Sequence, residues 1–478
     1  MSDLIYLLKF FFGKDNFRPG QREVVEALLS GRDVLALWPT GAGKSLTYQL
    51  PALIMPGLTV VVSPLIALME DQVRQLQKRN LPAAYLSSSQ SISEKVHILS
   101  LLEQKKLKML FAAPERLLED DFLIRLQKQT ISLLAVDEAH CINQWGHDFR
   151  HSYLRLGEVV KALRPRSILA VTATADLESA QQISLSLGLD RPLLSRLSLD
   201  RPNLNYKVIK SSPKQRPWLA LAHLHHGSGL PAVIYVARRN QAEQMAAFFS
   251  CQQFRAAPYH AGLSTENRQK ILQGFLEEKF DLIAATIAFG MGVDKPNIRQ
   301  VIHIAPPVAP ESYFQESGRA GRDRLPGRCL LMWAPEDFKY WQNCLEDKFP
   351  QMQEIDQFVR LASSKNLTIS EMRRTNFRAM SSGAWTMLVR AALGYEADPK
   401  AISELRLKPE HLFNYFAALK EAAQRRLDIM ENYCRTKLCR RQVLLQSLDQ
   451  AGKDHCGNCD NCLHRQRLTH KFKHDGAA

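Results

Sequence analysis

The chain has no apolar run approaching the roughly 18 residues that a bilayer-spanning helix needs. Its best stretch, TVVVSPLIALM, is broken by Pro64, so a membrane-spanning protein is not expected. Low-complexity tracts and repeats of solenoid length are also missing, which argues against a linker-like or stacked-array protein. Negative charge is the scarcer sign: 48 Asp and Glu stand against 63 Lys and Arg, leaving a formal charge of +15 over 478 residues. Such a deficit suits a polyanionic partner without naming it. The opening MSDLIYLLKFFFGKDNF lacks the basic n-region of a signal peptide, Asp3 standing there instead. Its Leu4, Leu7, Leu8, Phe11 and Phe12 recur at helical spacing, so an amphipathic core helix and a cytoplasmic protein are expected. Cysteine is sparse, with 9 in all, and five of them fall between residues 434 and 462. Clustering of that kind points to metal rather than disulfides. Cys141, Cys251, Cys329 and Cys344 are expected to be buried thiols.

What is present is a recurring alternation. Short apolar runs, DVLALW, TVVVS, KMLFAA, LLAVDE and ILAVTAT, are separated by helix-length segments in the first 175 residues. A second series, AVIYVA, APYHAGL, DLIAATIA, QVIHIA and GRCLLMW, begins after residue 230. Runs buried on both faces with helical crossovers describe parallel sheets, hence an α/β chain of two lobes. The lobes are expected to join near SLDRPNLNY, residues 198 to 206, where Pro202 and two asparagines interrupt both periodicities. Beyond about residue 345 the β-branched runs give way to Ala, Leu, Glu, Gln and Arg, and helix is expected.

PTGAGKS, residues 39 to 45, sits between a strand and a helical segment, the context of a phosphate-binding loop. Gly41 and Gly43 let backbone N–H groups turn toward phosphate, Lys44 reaches the β and γ phosphates, and Ser45 can hold Mg²⁺. Trp38 occupies the position where the strict pattern has its first glycine. Asp137 and Glu138 end a later strand, where an open parallel sheet brings groups to the crevice beside that loop. Asp137 would complete the Mg²⁺ shell and Glu138 would orient the attacking water; a solvated helix start is the plain alternative for such a pair. In QESGRAGRDR, Arg319 and Arg322 are three apart, which places them on one helix face. They read either as guanidinium groups for a γ-phosphate or as a solvated basic helix end. C-x₁₆-C-x₂-C-x₂-C over 439 to 462 favours tetrahedral Zn²⁺, with an iron–sulfur cluster as rival and Cys434, His455 and His464 in reserve.

Taken in order, FRPGQ (17 to 21), TGAGKS, SPLIALMEDQV (63 to 73), DEAHCINQWGHDFR, TATA (172 to 175), YHAGL (259 to 263), ATIAFGMGVDKPNIR (285 to 299) and QESGRAGRDR resemble the RecQ family of superfamily 2 DNA helicases. The resemblance covers nearly all of residues 1 to 340. It implies two tandem RecA-like lobes, at 1–200 and 201–345, then a helical region with a zinc-binding subdomain at 346–465 and a basic tail at 466–478. Gln21 would meet the adenine edge with Arg18 in support, Thr40 would join the phosphate loop, and Lys14 stands where the family carries an aromatic residue. Trp145, His147, Phe149 and Arg150 would form an aromatic-rich loop that senses single-stranded DNA, through stacking that tolerates any sequence. His151 stands where the family has proline. Thr172 and Thr174 would link the lobes, and Thr286 would touch the DNA backbone. Cys439, Cys456, Cys459 and Cys462 would hold Zn²⁺.

The resemblance implies an ATP-, Mg²⁺- and Zn²⁺-dependent 3′ to 5′ DNA helicase of repair or recombination. It would act as a monomer on single-stranded and tailed duplex DNA, beside single-stranded DNA-binding or recombination proteins, and at the nucleoid in a bacterium. With 16 residues after Cys462, the winged-helix and further helical domains of many relatives are not expected, so a DNA-stimulated translocase or annealer with weak unwinding is the alternative. RNA unwinding and a non-enzymatic DNA-binding scaffold fit the motifs less well. The segment between Arg322 and Cys439 is longer than the family suggests. Its Arg374, Arg378, Trp385 and Arg390 fit a DNA contact, whereas Trp385, Leu388, Val389 and Leu393 repeat as a packed helix would, and packing is the expected outcome.

Overall fold

A computed structural model describes residues 2–39, 41–64, 66–87, 90–142, 151–173, 177–225, 229–290, 295–363, 377, 380–393 and 409–475. The chain divides into two compact units, Met1–Leu199 and Asp200–Ala478.

The first unit is built on seven parallel strands: β1 (Val34–Leu37), β2 (Leu58–Val62), β3 (Ala83–Leu86), β4 (Met109–Ala112), β5 (Ile131–Val136), β6 (Ser167–Thr172) and β7 (Leu193–Arg196). Their order is β3-β4-β2-β5-β6-β1-β7. Alternation of side chains sends Leu35, Val60, Val62 and Leu134 into one core and Ala36, Val61, Leu133 and Val171 into the other. Helices cover both faces, which is why the central strands are buried at every position and largely apolar. The helix Ser2–Phe12 buries Leu8 and Phe12 in the second of these cores and leaves Tyr6 and Phe10 exposed. Because β1 and β5 flank β6, the segments that follow them leave the sheet from the same edge.

The second unit carries six parallel strands: β8 (Leu204–Lys210), β9 (Ala232–Tyr235), β10 (Ala256–Tyr259), β11 (Leu282–Ala285), β12 (Gln300–His303) and β13 (Gly327–Trp333), in the order β10-β11-β9-β12-β13-β8. The segment taken to break periodicity contains the start of β8, whose Leu204 and Tyr206 are buried while Lys207 is exposed. An edge strand half in solvent has no continuous apolar run to announce it.

Helices follow, among them Pro335–Lys348, Met352–Ser363, Ser382–Leu393, Pro409–Arg435, Arg440–Gln446 and Asp460–Asp475. Trp385 packs its ring against Phe377 and Phe358, with centroids 5.2 and 5.7 Å away, and Leu388 is fully buried. Those contacts favour the packed reading of this segment. Arg374, Arg378 and the side chains of Arg390 and Leu393 lie outside the described residues. Of the four isolated cysteines, Cys141 and Cys329 are buried, Cys344 is partly buried and Cys251 is exposed. Cys251 departs from expectation because it ends the helix Arg239–Cys251, beyond the buried stripe that closes with Phe249.

Candidate functional site

Trp38 explains the departure from the strict phosphate-loop pattern. Its N–H continues the β1–β6 ladder to the Thr172 carbonyl at 2.9 Å, and its fully buried indole donates to Ser195 Oγ at 3.2 Å. The loop proper begins after it. Gly41 and Gly43 hold φ of +85° and +86°, a region that disfavours a side chain. At Gly43 the need is also steric, since a Cβ there would lie 2.4 Å from Gln21 Nε2.

The FRPGQ segment grips this loop. Gln21 donates to the Gly43 carbonyl at 2.9 Å and accepts from the Arg18 N–H at 2.8 Å, while Arg18 Nη1 donates to the Gly41 carbonyl at 2.6 Å. Both residues are therefore engaged with the loop backbone. Lys14 is exposed, and Thr40 lies outside the described residues. Lys44 Nζ is buried without a hydrogen-bond partner among the described residues. Ser45 Oγ accepts from Gln72 Nε2 at 3.2 Å, and Gln49 Nε2 donates to Gln72 Oε1 at 2.7 Å, which fixes the way the Gln72 amide faces. Gln72 and Gln49 were not found from the sequence, although Gln72 belongs to the SPLIALMEDQV run.

Asp137 follows β5 directly, its N–H donating to the Val62 carbonyl at 2.9 Å. Burial, and then the neighbouring Glu138, push the Asp137 carboxyl up to about 6, while Lys44 pulls the other way. Burial also raises the Tyr48 phenol, with Asp137 adding to the effect. Glu138 takes a φ of +50° and sets its Oε2 3.2 Å from His140 Nδ1. His140 is buried, with Thr172 Oγ1 2.9 Å from the same nitrogen. Burial works against the charged imidazole, but Cys141 and Glu138 outweigh it and push the pKa up to about 10. A lysine, a serine hydroxyl and a carboxylate around a nitrogen-lined loop fit a nucleoside triphosphate with its metal. Thr172 thus spends its hydroxyl on His140, and Thr174 lies outside the described residues, as do Trp145, His147, Phe149 and Arg150.

In the second unit the paired arginines call for another correction. The helix Pro310–Ser317 ends before them, so Arg319 and Arg322 lie in the turns that follow rather than on a helix face. Gly318 caps the helix and Gly321 has a φ of +55°, which bends the chain away. Arg201 clamps this turn through the carbonyls of Gly318, Ala320 and Gly321 at 2.7 to 3.0 Å. Arg319 is buried, and its Nε and Nη1 have no hydrogen-bond partner among the described residues. Thr286 follows β11 half-buried, its hydroxyl accepting from the Ala288 N–H at 3.4 Å.

Cys439, Cys456, Cys459 and Cys462 bring their sulfurs within 4.8 Å of one another. Four sulfurs ~2.3 Å from a tetrahedral Zn²⁺ are about 3.8 Å apart, and Cys456 and Cys462 Sγ are separated by 3.9 Å. N–H groups of Arg440 and Asn458 point at Cys459 and Cys456 Sγ, each at 3.4 Å, as suits thiolates. Cys434, His455 and His464 are not part of this cluster. Side chains beside the cysteines reach β8: Asp460 accepts from the Val208 N–H at 2.9 Å, and Arg441 and Asn458 donate to the Leu204 carbonyl at 2.9 and 3.2 Å. Arg440 ties the assembly together through Asp460 and the Tyr433 carbonyl.

Two parallel-sheet units, one with a phosphate loop and acidic pair and the other with an arginine turn, define a superfamily 2 helicase core. Residues 18–183 match the DEAD/DEAH box helicase family, 216–324 the helicase conserved C-terminal domain, and 411–463 the RecQ zinc-binding family. Over 343 residues the chain is 41% identical to the ATP-dependent DNA helicase RecQ of Pasteurella multocida, covering 72% of this chain and 54% of that one. It is 35% identical over 466 residues to the probable ATP-dependent DNA helicase RecS of Bacillus subtilis, covering 97% and 92%, and 36% identical to RecQ of Synechocystis, covering 95% and 97%. The chain belongs to the RecQ family of DNA helicases. It spans about half the length of the Pasteurella relative and of RecQ from Haemophilus influenzae. Solved structures with the same fold include Lhr of Mycobacterium smegmatis bound to single-stranded DNA and AMP-PNP (TM-score 0.56, 16% identity, 86% of this chain and 56% of that one). Another is the helicase MrfA bound to DNA, with a TM-score of 0.57, 17% identity and coverage of 71% and 50%.

Proposed function

We propose that this chain hydrolyses ATP with Mg²⁺ and uses the turnover to separate DNA strands, moving 3′ to 5′ along single-stranded DNA in repair or recombination. The observation that carries this reading is Lys44: a buried ammonium without a hydrogen-bond partner among the described residues, on a loop opened by two left-handed glycines. A desolvated cation in that condition is stabilised by an anion, and the loop N–H groups favour phosphate. Lys44 holds the β and γ phosphates, Ser45 and Asp137 hold the metal, and Glu138 orients and deprotonates water. Mg²⁺ supplies charge neutralisation on the transferred phosphoryl group. Arg18, Gln21 and Lys14 serve the adenine side, with the Gln21 amide exchanging a loop carbonyl for the base. Arg319 and Arg322 supply guanidinium charge, which in phosphoryl transfer is worth roughly 10³ to 10⁵ in rate.

Trp145, His147, Phe149, Arg150 and Thr286 take the DNA, and Zn²⁺ on the four cysteines is structural. The partners are single-stranded and tailed duplex DNA, with single-stranded DNA-binding or recombination proteins beside them. The protein works as a monomer in the cytoplasm, at the nucleoid in a bacterium. Among the described residues no helix is long and apolar enough to cross a membrane.

Strand separation on duplexes with a 3′ tail, a 5′ tail or no tail, with ATP turnover followed in the same reactions, tests the proposal. Unwinding confined to 3′-tailed DNA is expected. Strong DNA-stimulated turnover without separation would replace the helicase by a translocase or annealer, and unchanged turnover in a Lys44→Ala variant would remove the enzymatic reading.

A further inference from the structure

Glu138 carries a side chain at a φ of +50°, a conformation that persists only where the surroundings over-determine it. Both polar groups of the peptide that joins it to Asp137 are held. The Glu138 N–H donates to Asp137 Oδ1 at 2.9 Å, a contact within the acidic pair itself. The Asp137 carbonyl accepts from the hydroxyl of Tyr153 at 3.0 Å, and Tyr153 comes from a different element, the short helix His151–Leu154. Tyr153 is fully buried, so its hydroxyl does not exchange this bond for bulk water. Rotation of that peptide changes ψ at Asp137 and φ at Glu138 together, and so releases the left-handed conformation in which Glu138 is held.

We infer that Tyr153 is a positioning residue. It fixes the orientation of the Asp137–Glu138 peptide, holds Glu138 in its left-handed conformation and thereby sets where the Glu138 carboxylate stands. The inference rests on the proposed function, in which Asp137 holds the metal and Glu138 orients and deprotonates water. Tyr153 lies three residues beyond Arg150 in the chain, so the hydroxyl ties the far side of the segment assigned to DNA back to the acids on its near side.

The neighbouring Ser152 supplies an internal control. It lies on the same helix, is equally buried, and donates its hydroxyl to Glu115 Oε1 at 2.9 Å instead. The experiment compares Tyr153→Phe, Ser152→Ala and Lys44→Ala with the parent protein, measuring kcat and KM for ATP with and without single-stranded DNA, and thermal midpoints. Tyr153→Phe keeps the ring and loses the hydroxyl, so kcat on DNA is expected to fall about tenfold, as one buried hydrogen bond allows. KM for ATP should stay within about twofold, because the phosphate loop is untouched. Ser152→Ala should lower the midpoint about as much with kcat unchanged. Equal loss of kcat in both variants, in step with their midpoints, would make Tyr153 merely structural and overturn the inference, as would parental kcat in Tyr153→Phe. Lys44→Ala separates the two claims: if it abolishes turnover while Tyr153→Phe behaves as parent, the positioning role alone fails, and if it keeps full turnover the functional reading fails with it.

Discussion

The phosphate loop of the first unit and the cysteine cluster of the second are both braced by hydrogen bonds from other parts of the chain, yet they leave their charges in opposite conditions. Around the loop, Gln21, Arg18 and Gln72 satisfy the backbone and Ser45, while the Lys44 ammonium is buried without a hydrogen-bond partner among the described residues and Asp137 is forced up to about 6. Around the cluster, backbone N–H groups meet sulfur, and Arg440, Arg441, Asn458 and Asp460 find partners on both sides. A site that must bind and release a charged ligand keeps part of its own charge uncompensated. A site whose task is to hold the fold together does not.

The largest effect should come from breaking the satisfied site. Cys439→Ala removes one of four ligands, and structural zinc is worth on the order of 10 kcal/mol. Loss of bound zinc and rapid proteolysis across residues 409–475 are expected, read by metal analysis and limited digestion. Lys44→Ala, in contrast, removes a charge without a hydrogen-bond partner among the described residues, so DNA-stimulated turnover should fall by about 10³ or more while the thermal midpoint is kept or rises. Gly43→Ala tests the loop backbone: left-handed strain of about 1–2 kcal/mol joined to the close approach of Gln21 should raise KM for ATP about tenfold.

The smallest effect concerns acid. Because the folded Asp137 carboxyl is raised from 3.8 to about 6, its protonated form favours the metal-free fold. That stabilisation is complete below pH 3.8 and lost as pH rises through 6. Metal needs the ionised form, so apparent Mg²⁺ affinity should fall about tenfold per pH unit below 6. Titrations of Mg²⁺ binding in the presence of a nonhydrolysable nucleotide at several pH values check the slope, and Asp137→Asn should abolish it.

The fold class was legible because β1, β2, β4, β5, β6 and their counterparts in the second unit are buried on both faces and spell continuous apolar runs. β8 hid because an edge strand buries alternate residues only, and Asn203 just before it and Asn205 within it resembled a break. The acidic pair and the cysteines could be read because their chemistry lies in a few consecutive or regularly spaced residues. Gln21 against Gly43, Tyr153 against Asp137 and Arg201 against Gly321 could not, since each is a contact across 16 to 120 positions that no local pattern records. The paired arginines were placed on a helix by their spacing, whereas Gly318 and Gly321 set the backbone there.

The bonds that cover β8 also set a timetable for synthesis. Asn205 is translated 253 residues before Asn458, the residue that receives its side-chain amide. At about 5 to 20 residues per second the ribosome needs roughly 10 to 50 seconds to supply it. Once β13 has paired with it, β8 is the edge of the nascent second sheet, and its outward Val208 N–H awaits Asp460, an open template for another chain. The zinc segment follows both sheets in the chain and covers the edge of the second, so metal supplied during translation is expected to reduce aggregation of the product.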